Sequence, residues 1–234
     1  MSILKRLVEE NKLMWWLLLL TLLVYIRLFL FGYISWDDPE MVFQNRDVKT
    51  FDLKNFFSSH YVGNYLPLTM LVHAMGWLFF KDHSGAHHLL NLLIHLVNGY
   101  LVFGLGKSLF RSDRVAYLGM AIFLLHPLQV ESVAWIAELK NLLSAFFMLL
   151  GFRFYLRNTE IKNKRHWGLS FLFFILACLS KSSAVIFPLC LLAFDVLQKN
   201  ITGKTILNKL PFFIAALVFG LVNLKTQAAD QFIN

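Results

Sequence analysis

The sequence predicts an all-α polytopic membrane protein, and three observations lead to that fold class. Hydrophobic residues make up 58% of the 234 residues and charged residues only 15%, with a mean hydropathy of +0.60, which is outside the soluble globular range. The apolar residues form several runs of membrane-spanning length. The basic residues lie mainly between these runs, as they do in membrane proteins, so the net charge of +8 does not indicate a nucleic-acid surface.

The first apolar run, residues 13–32, predicts a retained membrane anchor. It is longer than the core of a signal peptide, and no small-x-small cleavage site follows it. The basic residues before it, Lys5, Arg6 and Lys12, indicate a cytoplasmic N-terminus by the positive-inside rule. A mostly polar external loop, taken as residues 33–86, is therefore expected on the outer side.

The external loop is expected to carry short interfacial helices. Residues 52–60 have an apolar side and predict one such helix. Residues 66–80 are apolar but short for a crossing, and they contain Pro67 and His73. If this segment crossed, the basic cluster at residues 107–114 would face outward, against the charge rule. We therefore predict an interfacial or re-entrant helix there.

Six further spans are predicted after the loop, which gives about seven in a single membrane domain over residues 1–234. With this count, each loop assigned to the cytoplasm is basic, including the loops from Arg157 to Arg165 and from Lys199 to Lys209. That agreement with the charge rule supports the predicted topology. The spans predicted after the anchor are residues 87–110, 115–127, 131–156, 167–180, 184–198 and 210–224.

Two adjacent carboxylates, Asp37 and Asp38, follow the first span directly. A carboxylate at the rim of a bilayer is costly unless it has a function. A pair suits general-base catalysis, because one acid can hold a positive partner while the other accepts a proton. The alternative is a helix cap, with Pro39 at the first helical position and Glu40 in the first turn.

The two acids are expected to have different roles, because successive residues at a helix start diverge by about a third of a turn. We predict that Asp37 is the catalytic base and that Asp38 caps or braces the loop helix. The base is expected to face a cavity formed with His88, Glu131 and Lys181.

A polar stripe runs along the second predicted span. His88, Asn91, His95 and Asn98 are spaced three, four and three residues apart, which puts them on one helical face. In a membrane such a stripe faces the bundle interior or a hydrated cavity. Histidines four residues apart could chelate a metal, but no third strong ligand is nearby. We therefore predict interhelical hydrogen bonds for Asn91, His95 and Asn98, and no metal or cofactor.

Further polar residues mark the outer ends of the later spans. His126 precedes Pro127, and Glu131 follows in the same segment. Glu131, Trp135 and Glu138 would fall on one face of a continuous helix. That helix must enter the bilayer, where Glu138 and Lys140 are costly unless they are paired or hydrated.

Three basic residues are candidates for binding an anionic headgroup. Lys181 lies between two spans on the predicted outer side, against the usual bias of loop charge. Together with Lys140 and Arg27 it could receive a phosphate or pyrophosphate. For Arg27 the alternative is that its side chain snorkels to the interface.

Four segments together resemble one known family, the second of them consisting of two pieces in succession. They are WDDPE, NYLPLT, HHLLNLLIHLVN, HPLQVESVAWIAELKNLLS and LSKSSAVIFPLCLLAFD. The sequence resembles the membrane region of the transmembrane and tetratricopeptide-repeat proteins, which belong to the C-type glycosyltransferases. The HP-x-x-VESVAW motif is the most specific piece.

The resemblance implies roles for several residues. An acid of the first external loop, matched by Asp37 and Asp38, would be the catalytic base. Lys140 and Lys181 would meet the phosphate of the carrier lipid, while His126 and Glu131 would shape the site. Leu139 departs from the pattern, because relatives often have a second basic residue there.

The resemblance also implies a function. It predicts inverting transfer of a sugar, with mannose as one candidate, from a polyprenyl-phosphate carrier to a protein, lipid or glycan hydroxyl at the outer face of the membrane. The expected location is a bacterial inner membrane, or the endoplasmic reticulum membrane in a eukaryote. The tetratricopeptide repeats are missing, so the alternative is a truncated or split relative that binds carrier lipid or scaffolds an assembly, with a second subunit supplying further helices.

Overall fold

The computed structural model describes residues 11–161 and 163–229, so the predicted basic flank at Lys5 and Arg6 lies outside the described residues. The fold is all-α, as predicted. Over these two ranges the extended pairing is limited to a single bridge between Tyr61 and Asn64. The α-helices are α1 Lys12–Tyr25, α2 Arg46–Thr50, α3 Leu53–Ser58, α4 Pro67–Phe80, α5 Ser84–Phe110, α6 Asp113–Leu125, α7 Gln129–Ala134, α8 Leu139–Ile161, α9 Lys164–Ser180, α10 Phe187–Leu197, α11 Gly203–Leu207 and α12 Leu210–Ala229.

The helices confirm a polytopic membrane protein. Among the described residues, four helical segments are long and apolar enough to cross a membrane, namely Lys12–Leu30, Ser84–Phe110, Ile136–Ile161 and Gly203–Ala229. The apolar helices Pro67–Phe80 and Ser182–Leu197 are shorter. The total of seven spans and the cytoplasmic N-terminus therefore stay predictions.

The first span, predicted over residues 13–32, is helical over Lys12–Leu30, and its last turn is not α-helical. Helix α1 ends at Tyr25, a 3₁₀ turn covers Ile26–Leu30, and Phe31 is extended at φ −92° and ψ 148°. The start of α5 binds this departing chain, because the Ser84 hydroxyl donates to the Phe31 carbonyl at 2.8 Å. Asp37 and Asp38 are thus placed by a chain segment attached to α5 and not directly by a membrane helix.

The external loop is a packed unit. A π-helical turn at Pro39–Phe43, then α2 and α3, fold against α4. Helix α3 lies within the predicted residues 52–60, and the Asp52 carboxylate caps it by accepting from the Asn55 N–H at 3.1 Å. The shared core consists of Met41, Val42, Val48, Phe56, Leu66, Met70, Ala74, Ile136 and Ala137. The loop is therefore fixed to the connection between α7 and α8.

Helices α5 and α6 pack closely against each other. A Cβ atom added at Gly99 would lie 2.4 Å from the Leu124 side chain, and one at Gly106 would lie 3.0 Å from the Ala116 Cα. Glycine at these two positions lets the helices approach closely, as small residues do in membrane bundles.

The predicted span over residues 131–156 is broken, so Glu131, Trp135 and Glu138 do not share a helical face. Helix α7 ends at Ala134, Trp135 is extended at φ −92° and ψ 120°, and a 3₁₀ turn at Ile136–Glu138 leads into α8. Distant side chains bind the backbone at the break. The Asn91 amide donates to the Trp135 carbonyl at 2.9 Å, and the Ala137 N–H donates to Asp38 at 2.8 Å. These bonds stabilise a break that local propensity does not reveal.

Two contacts define the end of the bundle that carries the loop. The Thr69 hydroxyl donates to the Ser180 carbonyl at 2.8 Å, and the Thr226 hydroxyl donates to the Gly63 carbonyl at 3.0 Å. The last turns of α9 and α12 therefore lie beside the loop. We call this side the loop end, and the side that carries the α5–α6 connection the far end.

Candidate active site at the loop end

Asp38 is the buried brace of the external loop. Its side chain is 0% exposed, and its two oxygens accept from the Ile34 and Ala137 backbone N–H groups at 2.8 Å each. It makes no side-chain cap hydrogen bond, so the capping interpretation is wrong. Burial raises the pKa of the Asp38 carboxyl, and the two backbone hydrogen bonds oppose that shift. Asp38 thus joins the segment after α1 to the break before α8.

Asp37 points to a different partner. Its carboxylate accepts from the Lys140 ammonium at 3.2 Å, and its side chain is 19% exposed. The two acids therefore diverge, as the sequence predicts. Of this pair, Asp37 is the one whose carboxylate a ligand can reach.

Lys140 and Lys181 are joined through Glu138. One Glu138 oxygen lies 2.9 Å from the Lys140 ammonium and the other lies 3.6 Å from that of Lys181. Asn141 donates to the Glu138 carboxylate, and its amide oxygen accepts from Lys181 at 2.5 Å. We call Asp37, Glu138, Lys140 and Lys181 the acid–lysine cluster. Of the two alternatives expected for Glu138 and Lys140, pairing or hydration, the structure shows pairing.

The acid–lysine cluster is balanced in charge but unequal in exposure. The side chains of Glu138 and Lys140 are 7% and 8% exposed, whereas that of Lys181 is 25% exposed. Burial lowers the pKa of the Lys181 ammonium, and the charge of Glu138 opposes that shift. An anion that binds next to Lys181 would again favour the charged form of its ammonium group. The open members of the cluster, Asp37 and Lys181, are thus suited to meet a ligand.

Two tryptophans flank the cluster. The Trp36 and Trp135 rings stack with centroids 6.0 Å apart at an interplanar angle of 26°. The Lys140 ammonium lies 5.7 Å from the centroid of the Trp135 ring, within cation–π range. Because Trp36 is 77% exposed, it provides an aromatic surface next to Asp37.

The polar stripe of α5 holds the bundle together. His95 bonds the Leu124 carbonyl at 3.1 Å, and the Asn98 amide donates to the Leu142 carbonyl at 2.9 Å. With the bond from Asn91 to Trp135, these contacts confirm interhelical hydrogen bonding. His88 bonds the Gly32 carbonyl at 3.3 Å. His88 therefore supports the chain that carries the acids.

Three of the predicted site residues make no direct contact with the acid–lysine cluster. Arg27 is exposed on the 3₁₀ turn after α1, and no described residue forms an ion pair or hydrogen bond with its side chain. His126 is exposed, and its ring accepts from the Leu128 N–H at 3.2 Å. Glu131 is also exposed, and its charge acts on Lys181. The Asp37 carboxylate thus pairs with Lys140, and no contact among the described residues joins it to His88 or Glu131.

His73 was not predicted as a site residue. It is 1% exposed on α4, one turn after Thr69. Neither ring nitrogen has a hydrogen-bond partner among the described residues. The sequence feature that could have identified His73 is a histidine within an otherwise apolar helix. Over the same residues, no group of three His, Cys, Asp or Glu side chains is arranged to hold a metal.

Comparison with known proteins gives consistent matches. A family model described as dolichyl-phosphate-mannose-protein mannosyltransferase matches residues 66–224. The protein O-mannosyl-transferase F38B6.6 of Caenorhabditis elegans is 29% identical over 61% of this chain and 24% of its own length. The human protein O-mannosyl-transferase TMTC4 is 27% identical over 57% of this chain and 21% of its own length. The chain thus spans about a quarter or less of these relatives. No solved structure matches it.

Proposed function

Because the chain belongs to the dolichyl-phosphate-mannose-protein mannosyltransferase family, we propose that it catalyses inverting transfer of a sugar from a polyprenyl-phosphate carrier to a hydroxyl group. Mannose on a protein hydroxyl is the first candidate, because the relatives are named protein O-mannosyl-transferases. The reaction would take place at the loop end, on the non-cytoplasmic face of the membrane, which is the outer face of a bacterial inner membrane or the lumenal face of the endoplasmic reticulum membrane.

The observation that carries this proposal is the contact between Asp37 and Lys140 at 3.2 Å within a charge-balanced cluster. Transfer requires a base for the acceptor proton and a positive group for the leaving phosphate. The cluster has both kinds of group side by side. Glu138, Lys140 and Lys181 fall within the part of the chain that the family model matches, whereas Asp37 precedes it.

The proposed step is a single displacement. The acceptor oxygen attacks the anomeric carbon of the sugar while the bond from that carbon to the carrier phosphate oxygen breaks. Asp37 takes the proton of the attacking hydroxyl. The phosphate leaves with the bonding electron pair, and its charge is held by Lys181 and Lys140.

Glu138 and Asp38 have positioning roles in this proposal. Glu138 contacts both lysines, so it fixes their spacing before the donor binds and prevents repulsion between them. Asp38 fixes the loop to the break at Trp135, which keeps Asp37 next to Lys140. The Trp36 ring offers an apolar face to the sugar or to the first isoprene unit of the carrier.

The proposal is tested with purified protein in nanodiscs, polyprenyl-phosphate mannose and a serine- and threonine-rich acceptor peptide. Release of the free carrier phosphate and labelling of the peptide are measured. We expect Asp37→Asn to lower turnover about 100-fold or more, the order of a general-base effect. Its thermal unfolding and carrier binding should remain close to those of the unmodified chain.

Two controls accompany this test. Asp113→Asn removes a carboxylate that is 61% exposed at the far end, and it should leave turnover unchanged. Asp38→Asn disturbs the brace, so it should lower the unfolding temperature together with turnover. Carrier binding without turnover in the unmodified chain would favour the non-catalytic alternative. Loss of turnover in Asp38→Asn alone, at unchanged stability, would reverse the assignment of the two acids.

A further inference from the structure

A second group of polar side chains lies at the far end, between α1, α5 and α8. A cavity of about 310 Å³ is lined there by Asn11, Lys107, Ser108 and Arg153, among others. Lys107 follows His88 by 19 residues on α5, which places it about 28 Å along the helix from the loop end. This cavity is therefore separate from the acid–lysine cluster.

Arg153 is the unusual member of this group. It lies inside the apolar segment Ile136–Ile161 and is partly buried. A Cβ atom added at Gly104 would lie 3.3 Å from its guanidinium, so the side chain crosses to α5. None of the described residues forms an ion pair or hydrogen bond with it. A guanidinium stays charged, and a charge that no described residue pairs within an apolar segment favours an anion as its partner.

Lys107 adds a second positive group to the cavity. Its ammonium lies 3.0 Å from the Asp113 carboxylate, and both side chains are more than half exposed at 57% and 61%. An exposed pair of this kind contributes little free energy. Lys107 can therefore exchange Asp113 for a bound anion, or hold both.

An apolar groove continues from the polar cavity. It encloses about 700 Å³ between α1 and α5, with Trp15, Leu18, Leu22 and Leu96 among its lining residues. The polar cavity and the groove share Asn11, Met14 and Tyr100 as lining residues, so they are continuous. From Asn11 to Leu22 the groove runs about 16 Å along α1, roughly half the thickness of a bilayer core.

We propose that the cavity and groove together bind one diacyl phospholipid with an anionic headgroup. The phosphate would contact Arg153 and Lys107, and one acyl chain would lie along the groove between α1 and α5. Charge complementarity selects the headgroup, because basic pockets between membrane helices bind acidic lipid headgroups. The order of polar cavity, Tyr100 and apolar groove matches the order of headgroup, interface and acyl chain.

This lipid is distinct from the proposed sugar donor. The acid–lysine cluster lies at the loop end, and Lys140 precedes Arg153 by 13 residues on α8, about 20 Å along the helix. Two phosphates at these positions would belong to opposite leaflets. The bound phospholipid would join α1 to α5 and α8, and we expect it to stabilise the bundle whether or not sugar transfer occurs.

The test compares bound lipids by native mass spectrometry after the protein is exchanged from detergent into mixed micelles. The probes are phosphatidylglycerol and phosphatidylcholine with the same acyl chains. We expect phosphatidylglycerol to be retained preferentially, and Arg153→Gln to lower that preference about fivefold or more, the effect of one basic residue near a lipid surface. The matched control is Arg157→Gln, which changes an exposed arginine one turn later on α8 and should keep the preference.

A second arm tests the groove and the source of the phosphate. Val97→Trp places a large side chain in the groove lining and should also lower phosphatidylglycerol retention. Leu118→Trp on the exposed face of α6 should not. If the Arg153→Gln variant does not fold, the Arg153→Lys variant is measured instead. It should keep part of the preference for phosphatidylglycerol over phosphatidylcholine. Equal retention of the two lipids would overturn the proposal. So would a rise in unfolding temperature with soluble glycerol phosphate that equals the rise with phosphatidylglycerol.

Discussion

Two buried charge clusters of this molecule differ in how completely their groups are paired. Towards the far end, Asp195 and Lys209 are 1% and 2% exposed and form an ion pair. The Tyr155 hydroxyl donates to the same carboxylate at 2.8 Å, and Lys209 also donates to the Thr205 carbonyl at 3.1 Å. At the loop end, the acid–lysine cluster has Asp37 and Lys181 side chains that are 19% and 25% exposed.

The difference separates a structural ion pair from a candidate site. Tyr155 on α8, Asp195 on α10 and Lys209 directly before α12 are joined in this cluster, and all three are buried. In the acid–lysine cluster, each lysine contacts a carboxylate while part of the cluster stays open. A ligand phosphate can therefore compete for the lysines at a moderate cost. Burial of charge alone does not indicate function, whereas burial with remaining access does.

The largest expected effect is on stability and comes from Lys209→Met. This change leaves the Asp195 carboxylate buried without its cation, which costs about 3–5 kcal/mol. Lys140→Met should cost less, because Glu138 keeps Lys181 and Asp37 reaches water, but it should abolish sugar transfer. Thermal and denaturant unfolding in detergent, measured beside the transfer assay, separates the two outcomes.

A double variant provides the control for that comparison. Asp195→Leu combined with Lys209→Met removes both charges, and it should recover most of the lost stability because apolar replacements of buried pairs are often neutral. If Lys140→Met destabilised the protein as strongly as Lys209→Met, the distinction between closed and open clusters would not hold.

The sequence predicted the features that depend on local pattern. Apolar runs predicted the helices, the spacing of Asn91, His95 and Asn98 predicted the interhelical bonds, and the quoted motifs predicted the family, which the comparisons confirm. These features are determined within one helix or one short segment. Predicting these features requires no knowledge of what packs against that helix or segment.

The sequence did not predict the features that depend on distant partners. The break at Trp135 exists because Asn91 and Asp38 bind the freed backbone groups, and both residues lie far away in the chain. Lys209 was predicted as a loop charge, yet Asp195 pairs with it inside the bundle. Glu138 was recognised as costly, but its place between Lys140 and Lys181 follows only from the broken helix. The site roles of these residues stay proposals.

The next largest effect is expected on donor binding, and it tests whether the partly exposed acid–lysine cluster binds the carrier phosphate. Lys181→Gln removes a charge that would contact the carrier phosphate, and it should weaken carrier affinity by about 1.5–3 kcal/mol, the range for charged hydrogen bonds. Its unfolding temperature should change little, because the side chain is 25% exposed. Equilibrium binding of a fluorescent polyprenyl phosphate measures the affinity.

Lys54→Gln is the matched control, because Lys54 is exposed on α3 at the same end of the bundle. It should leave carrier affinity unchanged. If the two variants bound carrier equally well, Lys181 would be removed from the site, and its pairing with Glu138 would be another structural contact.

The smallest effect is expected from Trp36→Ala. Its ring is 77% exposed and stacks on Trp135 at 6.0 Å, so the substitution should not change the unfolding temperature. If the ring also stacks on the sugar, its loss should raise KM for the donor by the equivalent of about 0.5–1.5 kcal/mol, the range for aromatic pairs, with kcat nearly unchanged. Trp36→Phe should restore most of the affinity, because an apolar ring face remains. A tryptophan that only anchors the loop at the membrane interface would leave KM unchanged in both variants, and the open cluster would then lack an aromatic contact to its ligand.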